Sequence, residues 1–532
     1  MSSIKTLRTP STTLLPEQVW VTADQMRQIE SRSFVGGLPV AALMEKAGQR
    51  LARRIQQLCP DGPLGVLVGP GHNGGDALVV ARELSLRGRA VRLYSPLTSF
   101  KPLTQQHWQY ATHLDLPGVE KIEQLSNCAA VIDGLFGFGL TRPIAGALAT
   151  DLHWLNASDL KVISIDLPSG IETDSGEPLG VAVRSHPTQC LGLWKQAFAQ
   201  TAALPYLGHC ERIDLDLPPT DIQAVLGAVP NCRRLTRKTV LAALPLQRVP
   251  TVHKYSVGQL LLVAGSRTYA GAALLAARGA RASGVGMVTL AVPESLQLMA
   301  VDQAPEALVV GCPEHNGVIQ ALPESLVPTA YDVISMGPGL TPQAEAVVSQ
   351  LLTVPVPLVI DADALNILAA TATVEALRQR PAATVLTPHP GEFRRLFPDL
   401  PETLAVAQAA ANLTGTTVVL KRARSTIATP HGPLWINPDS TAALARGGSG
   451  DVLTGLLGGL WASHRAQQPD SADVDTSLQA ALGAVGWHAA TAQSVAQRRT
   501  VFGVDPVTLA TALPDCLNTL REEMGSMPAA TD

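Results

Sequence analysis

Aromatic residues are scarce in this 532-residue sequence: Phe, Trp and Tyr together make up 4%. Its cores must therefore be filled mainly by Ala, Leu and Val. No CxxC pair occurs among the seven cysteines, which are scattered and odd in number. That pattern fits a reduced, cytoplasmic protein better than a disulfide framework or a zinc site. No basic stripe or tail is present, and 40 basic against 44 acidic residues leave a net charge of −4. Nucleic acid is therefore not expected as a main partner. The N-terminus, "MSSIKTLRTPSTTLLPEQ", lacks a continuous apolar segment, so residues 1–17 read as a disordered leader and not as a signal peptide. The longest apolar-looking tract, Ala270 to Val292, is broken by Arg278 and Arg281. It is not a membrane span, and no membrane partner is expected.

What is there points to large folded cores. Hydrophobic residues make up 46% and charged residues 16%, which argues against disorder, and the length predicts two or more domains. Short apolar runs alternate with Ala-rich helical segments. Among the runs are "LGVLVG" (Leu64–Gly69), "AAVIDGLFG" (Ala129–Gly137), "GQLLLVAGS" (Gly258–Ser266) and "VPLVIDADAL" (Val356–Leu365). Continuous apolar strands separated by helices predict parallel sheets covered on both faces, an α/β protein. A Pro-rich seam from Leu215 to Thr251 lacks a clear buried strand and predicts a domain boundary near Arg233. The blocks on either side differ in their glycine motifs, so no internal repeat is read.

The first glycine-rich stretch, "LGVLVGPGHNGGDALVVAREL", reads as strand, turn and helix, with Gly69, Gly71, Gly74 and Gly75 in the turn. A helix N-terminus exposes unpaired N–H groups and suits phosphate. The spacing matches neither GxGxxG nor a P-loop, and an ordinary tight turn is the alternative. Two more apolar strands end in Asp133 and Asp166. Ligands of open α/β sheets bind beyond the carboxyl ends of strands, so Asn73, Asp76, Asp133, Asp166 and Ser169 are expected to converge. Asn73, Asp133 and Ser169 offer oxygen ligands to a hard cation; each aspartate taken singly reads as a cap or Asx turn.

The second, "ALARGGSGDVLTGLLGGLWA", predicts a Gly-rich loop opening a helix near Asp451. The N–H groups of Gly447 to Gly450 would form an anion hole, with Asp451 as general base or as a plain N-cap. "LTPHPGE" fixes His389 between two prolines, and "VVLKRARSTI" puts Lys421 at a strand end to meet a phosphate or solvent.

These motifs resemble a known family. Residues 18–232, through "GPGHNGGDALVVAREL", "DGLFGFGLTRPIAG" and "DLPSGIETDSG", are similar to the NAD(P)H-hydrate epimerase domain, a Rossmann-like doubly wound domain. Residues 236–520, through "HKYSVGQLLLVAGS", "LTPHPGE" and "GGSGDVLTG", are similar to the ribokinase-like NAD(P)H-hydrate dehydratase domain. The resemblance implies repair of hydrated nicotinamide cofactors: epimerisation of R and S hydrates, then ADP-dependent dehydration of the S form. The implied partners are the hydrates NADHX and NADPHX and ADP, with Mg²⁺ accompanying ADP, K⁺ in the epimerase domain, and a homo-oligomeric assembly.

By position, the resemblance implies epimerase substrate contacts at His72, Asn73, Gly74, Gly75 and Asp76, and at Gly137, Phe138, Gly139, Leu140, Thr141, Arg142, Pro143 and Asp166. Potassium would be held by Asn73, Asp133 and Ser169. His72 stands where an asparagine is common, and Ala77 where a glycine is. Dehydratase contacts would be Ala272, Gly339, His389 and Asp451, with nucleotide at Lys421, Arg422, Ala423, Arg424, Ser425 and Gly450; Arg422 stands where glycine is frequent. Asp451 and Asp166 are the expected catalytic residues. Two other readings stay open on the motifs: a vitamin kinase of the ribokinase-like fold, and a non-enzymatic scaffold role for the first domain.

Overall fold

The computed structural model describes residues 15–371 and 374–526. Most of the expected leader thus lies outside the described residues, and its last residues enter a short turn of 3₁₀ helix, Pro16–Gln18. The chain separates into two compact units, Met1–Cys232 and Arg233–Asp532. Among the described residues no helix is long and apolar enough to cross a membrane. The tract from Ala270 is a helix, Ala270–Ala282, followed by a strand, Met287–Pro293.

In the first unit seven parallel strands lie in the order Gly118–Val119, Val91–Tyr94, Leu64–Val68, Ala130–Gly134, Val162–Ile165, Thr188–Leu191, Cys210–Ile213. Numbered along the chain, that is 3-2-1-4-5-6-7. Side chains alternate across the sheet, as the period of two requires. Val66, Val68 and Ile132 pack into one core with helices Ala23–Val35, Val40–Leu58 and His72–Leu86. Leu67 and Val131 pack into another with helix Gly146–Ala157. The order reverses between Leu64–Val68 and Ala130–Gly134, where Val68 pairs with Gly134. Such a reversal opens a crevice at the strands' carboxyl ends.

The first helix shows how local sequence sets this up. Thr22 Oγ1 accepts from Gln25 N (3.1 Å) and Gln25 Oε1 accepts from Thr22 N (3.0 Å), a capping box that fixes the start of Ala23–Val35. Met26, Ile29 and Ser33 then face the core, while Arg27, Glu30, Ser31 and Phe34, at helical spacing, face the crevice.

The second unit repeats this strand order, which its sequence did not reveal. Seven parallel strands run Leu308–Cys312, Met287–Pro293, Gln259–Val263, Val333–Met336, Leu358–Ile360, Thr384–Leu386, Thr417–Leu420; Thr426–Ala428 follows antiparallel to the last, Leu434–Ile436 antiparallel to it, and Cys232–Arg234 lies at the edge of the sheet. The switch point lies between Gln259–Val263 and Val333–Met336. The glycines of "DVLTGLLGG" serve packing: a Cβ at Gly455 would overlap the Ala276 carbonyl, and one at Gly279 the Val452 carbonyl. Helices Ser449–Gln467 and Ala270–Ala282 thus touch backbone to backbone.

Candidate active sites

The crevice of the first unit is a cleft of about 650 Å³. Its lining includes His72, Asn73 and Asp76 from the start of helix His72–Leu86, Gly137 to Arg142, and Asp166. Pro143, Gly74 and Gly75 are not among its lining residues. The two glycines, expected in the turn, lie within the first turn of helix His72–Leu86. A Cβ at Gly74 would overlap the Gly69 carbonyl, and one at Gly75 would come within 2.6 Å of Met44. They are glycines because the helix packs tightly there, while at Gly71 nothing lies within 4 Å.

At the cleft floor Lys195 Nζ lies 2.5 Å from Asp166 Oδ1 and donates to the Leu191 carbonyl at 2.5 Å. Lys195 has no solvent exposure and Asp166 has 3%. Asp166 Oδ2 accepts from Phe138 N at 3.0 Å, which ties the Gly137–Arg142 loop to the carboxylate. Asp166 itself has φ +69°, so its backbone is held in the left-handed region. Burial pushes the Glu30 carboxyl up to about 7 and the Asp76 carboxyl well above the usual carboxylate range, with neighbouring Asp166 adding to both.

Asp133 and Ser169 lie beneath the cleft lining. Ser169 Oγ donates to Asp133 Oδ1 (2.6 Å); Ser169 N and Ser164 Oγ donate to Oδ2 (both 2.9 Å), and Leu135 N donates to Oδ1 (3.3 Å). Ser169 Oγ also accepts from Phe136 N at 2.9 Å. Asn73 is near: its Oδ1 would lie 3.1 Å from a Cβ at Gly137, and its buried Nδ2 has no partner. The three predicted cation ligands thus offer oxygen donors around one loop, with an orphaned amide among them.

In the second unit the expected residues gather at the strands' carboxyl ends. Helix Ser449–Gln467 begins after Gly448, whose φ is +96°. Asp451 is its third residue, not its N-cap. Lys421 Nζ meets Asp361 Oδ1 at 2.5 Å, and Thr454 Oγ1 donates to Asp361 Oδ2 at 2.5 Å. A Cβ on Gly450 would be 3.4 Å from Lys421 Nζ. The Asp451 carboxyl is pushed up to about 6: burial raises it most, Asp361, Asp363 and Glu392 add to the rise, and Lys421 opposes them. Gly339 (φ +66°) packs so that a Cβ would lie 2.9 Å from Ala272 Cβ.

His389 is the N-cap of helix Pro390–Leu396: its Nδ1 accepts from Gly391 N (2.9 Å) and Glu392 N (3.3 Å). Only its Nε2 is left for a ligand, and that atom is 3.4 Å from Glu392 Oε1. Residues Lys421 to Ser425 turn the chain between antiparallel strands Thr417–Leu420 and Thr426–Ala428. Arg422 bonds back to the carbonyls of Arg424 (3.3 Å) and Leu404 (3.4 Å), and Arg424 donates to the Pro438 carbonyl.

Sequence reasoning missed Lys195, Glu30 and Lys101 in the first cleft, and Thr454 and His488 in the second. His488 Nε2 lies 3.0 Å from the Ser449 carbonyl at the helix start, and burial pushes its ring down to about 4, which keeps it neutral. Lys195 had one signal: a lysine inside the apolar run "LGLWKQAFA". Among the described residues no group of three or more His, Cys, Asp or Glu is arranged to hold a metal ion.

The family model described as "NAD(P)H-hydrate dehydratase" matches residues 260–515, and that described as "YjeF-related protein N-terminus" matches residues 40–197. The bifunctional NAD(P)H-hydrate repair enzyme Nnr of Synechocystis sp. is 48% identical over 516 residues, 96% of this chain and 97% of that protein. Its namesake in Thermosynechococcus vestitus is 47% identical over 514 residues, 95% and 98% of the two chains. A solved structure of the ADP/ATP-dependent NAD(P)H-hydrate dehydratase of Bacillus subtilis, co-crystallized with ATP/Mg²⁺, is 31% identical. It aligns with 54% of this chain and 97% of its own, at a TM-score of 0.45.

Proposed function

The chain belongs to the family of bifunctional NAD(P)H-hydrate repair enzymes, and on that premise we propose how its two sites divide the work. The protein restores hydrated nicotinamide cofactors: one activity epimerises the R and S hydrates, and the other dehydrates the S form to NAD(P)H at the expense of a nucleotide. Family membership also disfavours the vitamin-kinase and scaffold readings.

We assign epimerisation to the first cleft and dehydration to the second site. Arg27, Lys101 and Arg142 line the first cleft without a salt bridge among the described residues, which suits the phosphates of a dinucleotide. Asp166, held by Lys195, is an acid/base group there. Potassium is assigned to Asn73, Asp133 and Ser169, where a hard cation accepts oxygen ligands. It would supply positive charge beside the cleft floor. Asp133 already accepts four hydrogen bonds, so Asn73, with its unpartnered amide, is the most adaptable of the three.

In the second site the carrying observation is Asp451, one residue past Gly450 and within reach of the Lys421–Asp361 pair. Asp451 removes the proton from the hydrate's hydroxyl, and the hydroxyl oxygen takes a phosphoryl group from ADP, leaving AMP. The C–O bond then breaks with phosphate as leaving group, and loss of a ring proton restores NAD(P)H. The amides of Gly447 to Gly450 face the migrating charge, and Lys421 to Ser425 hold the nucleotide. Magnesium comes with the nucleotide, since Mg²⁺ is usually held through phosphates and its own waters. Cytoplasmic residence is part of the proposal, supported by seven free cysteines; a homo-oligomer is also expected, to be read by sedimentation.

The test supplies mixed R and S hydrates with ADP or ATP, with and without potassium. Complete conversion to NAD(P)H with ADP and potassium, and conversion slowed at the R form without potassium, is the expected result. Conversion equally fast with no nucleotide would overturn the assignment.

A further inference from the structure

Four ionisable side chains share the inner part of the first cleft: Glu30, Asp76, Asp166 and Lys195. They come from helix Ala23–Val35, helix His72–Leu86, the end of strand Val162–Ile165 and strand Trp194–Lys195. Lys195 is committed, with Nζ 2.5 Å from both Asp166 Oδ1 and the Leu191 carbonyl. One buried cation compensates one carboxylate, and further unpaired charge in so dry a site is costly. Neither Glu30 nor Asp76 has a salt-bridge partner among the described residues, and burial raises both carboxyls, which favours their protonated forms. Neither side chain makes a hydrogen bond to another described residue, so both carboxyls are free to meet a ligand. Arg27, one turn before Glu30, leans on the Phe138 ring at 6.0 Å.

We propose that Glu30 is the second proton-transfer residue of epimerisation, working as a pair with Asp166. This rests on assigning epimerisation to the first cleft. An acid/base pair needs two carboxyl groups whose surroundings hold them in opposite protonation states. Asp166, ion-paired, is the ionised member. Glu30 holds a proton and is raised to about 7, so it releases it near neutral pH; Asp76 is raised well above its usual range and stays protonated.

The hydrate's hydroxyl sits on the ring carbon bonded to the ring nitrogen. Glu30 gives its proton to that oxygen. The C–O bond breaks, its electron pair leaves with the water formed, and the nitrogen lone pair closes a C=N bond, leaving a cation. A water then adds from the other face of the ring. Its oxygen supplies the new C–O bond, the C=N pair returns to nitrogen, and Asp166 takes the released proton. One water has left and one has entered; Glu30 has lost a proton and Asp166 has gained one. Exchange with solvent resets the pair. The opposite direction runs through the same states, so both share one pH dependence.

The experiment follows the full chain acting on a single purified R hydrate in ¹⁸O-water from pH 5 to 9. The wild type should incorporate label with each inversion and slow as pH rises through about 7. Glu30→Gln should lower kcat at least about 100-fold, with KM within about 3-fold, and remove that alkaline limb. Asp76→Asn should keep the limb. If Glu30→Gln loses substrate binding, Glu30→Asp decides: a limb retained near neutrality supports the proposal, and its absence overturns it. Near-normal kcat with an unchanged limb in Glu30→Gln, or inversion without label, would also overturn it. No acceleration by the wild type over buffer would instead remove the epimerase assignment beneath it.

Discussion

Lys195 and Asp166, 29 residues apart in sequence, form an ion pair of 2.5 Å at the floor of the first cleft. Removing one partner of a buried pair leaves an uncompensated charge and costs about 3–5 kcal/mol. Lys195→Met should therefore lower the melting transition of the first unit and leave the second unit's transition in place, as read by calorimetry of the full chain. It should also abolish epimerisation, because Lys195 no longer holds the Asp166 carboxylate in place. A variant that melts like the wild type would show the pair to be energetically idle.

Asp451 acts as a base only when ionised, and its carboxyl is raised to about 6. Dehydration should therefore be slow at pH 5 and rise through about pH 6 to a plateau. Lys421 lowers this value, so Lys421→Met should move the limb to higher pH in addition to weakening nucleotide binding. Asp451→Asn should lose dehydration while nucleotide still binds, measured by calorimetric titration. Near-normal turnover in that variant would remove Asp451 from the chemistry.

The glycines of "GPGHNGGD" separate into two kinds. A Cβ at Gly74 would overlap the Gly69 carbonyl, while Gly71 has open space and φ −98°. Gly74→Ala should destabilise by about 1–3 kcal/mol, the usual cost of overpacking a tight contact. Gly71→Ala should melt within about 0.5 kcal/mol of the wild type, as substitutions away from packed features do. Denaturant titration of the two variants checks both. Equal stabilities would refute the packing account.

That case shows where the sequence was legible and where it misled. Apolar runs ending in Asp133, Asp166 and Lys421 read as strands, and strands Ala130–Gly134, Val162–Ile165 and Thr417–Leu420 do end at or beside those residues, because the period of a strand is a local property. The glycines marked the right turns for a partly wrong reason: several avoid a neighbouring backbone that only the folded chain brings near. Glu30 and Lys195 were illegible for the same cause. Each looks ordinary locally, and only the reversal of strand order beside Leu64–Val68 brings the helix of one and the strand of the other to the cleft that holds Asp166. The repeated strand order of the two units was also hidden, since different loops and helices connect it.

Glu30 gives a last prediction that does not depend on substrate. Its carboxyl titrates near 4.5 when unfolded and at about 7 when folded. A raised carboxyl binds its proton more tightly in the folded state, so stability is unaffected below about pH 4.5 and falls as pH rises toward 7. Above that the loss is constant, of order 3 kcal/mol at most from a shift of that size, and less for a group that water partly reaches. Glu30→Gln cannot ionise. It should unfold like the wild type at pH 4.5 and be the more stable chain at pH 8.5, its advantage appearing between those values. Urea unfolding of the first unit at the two pH values measures this. A variant less stable than the wild type at pH 8.5 would mean that Glu30 is ionised without cost, and that the cleft is wetter than its burial implies.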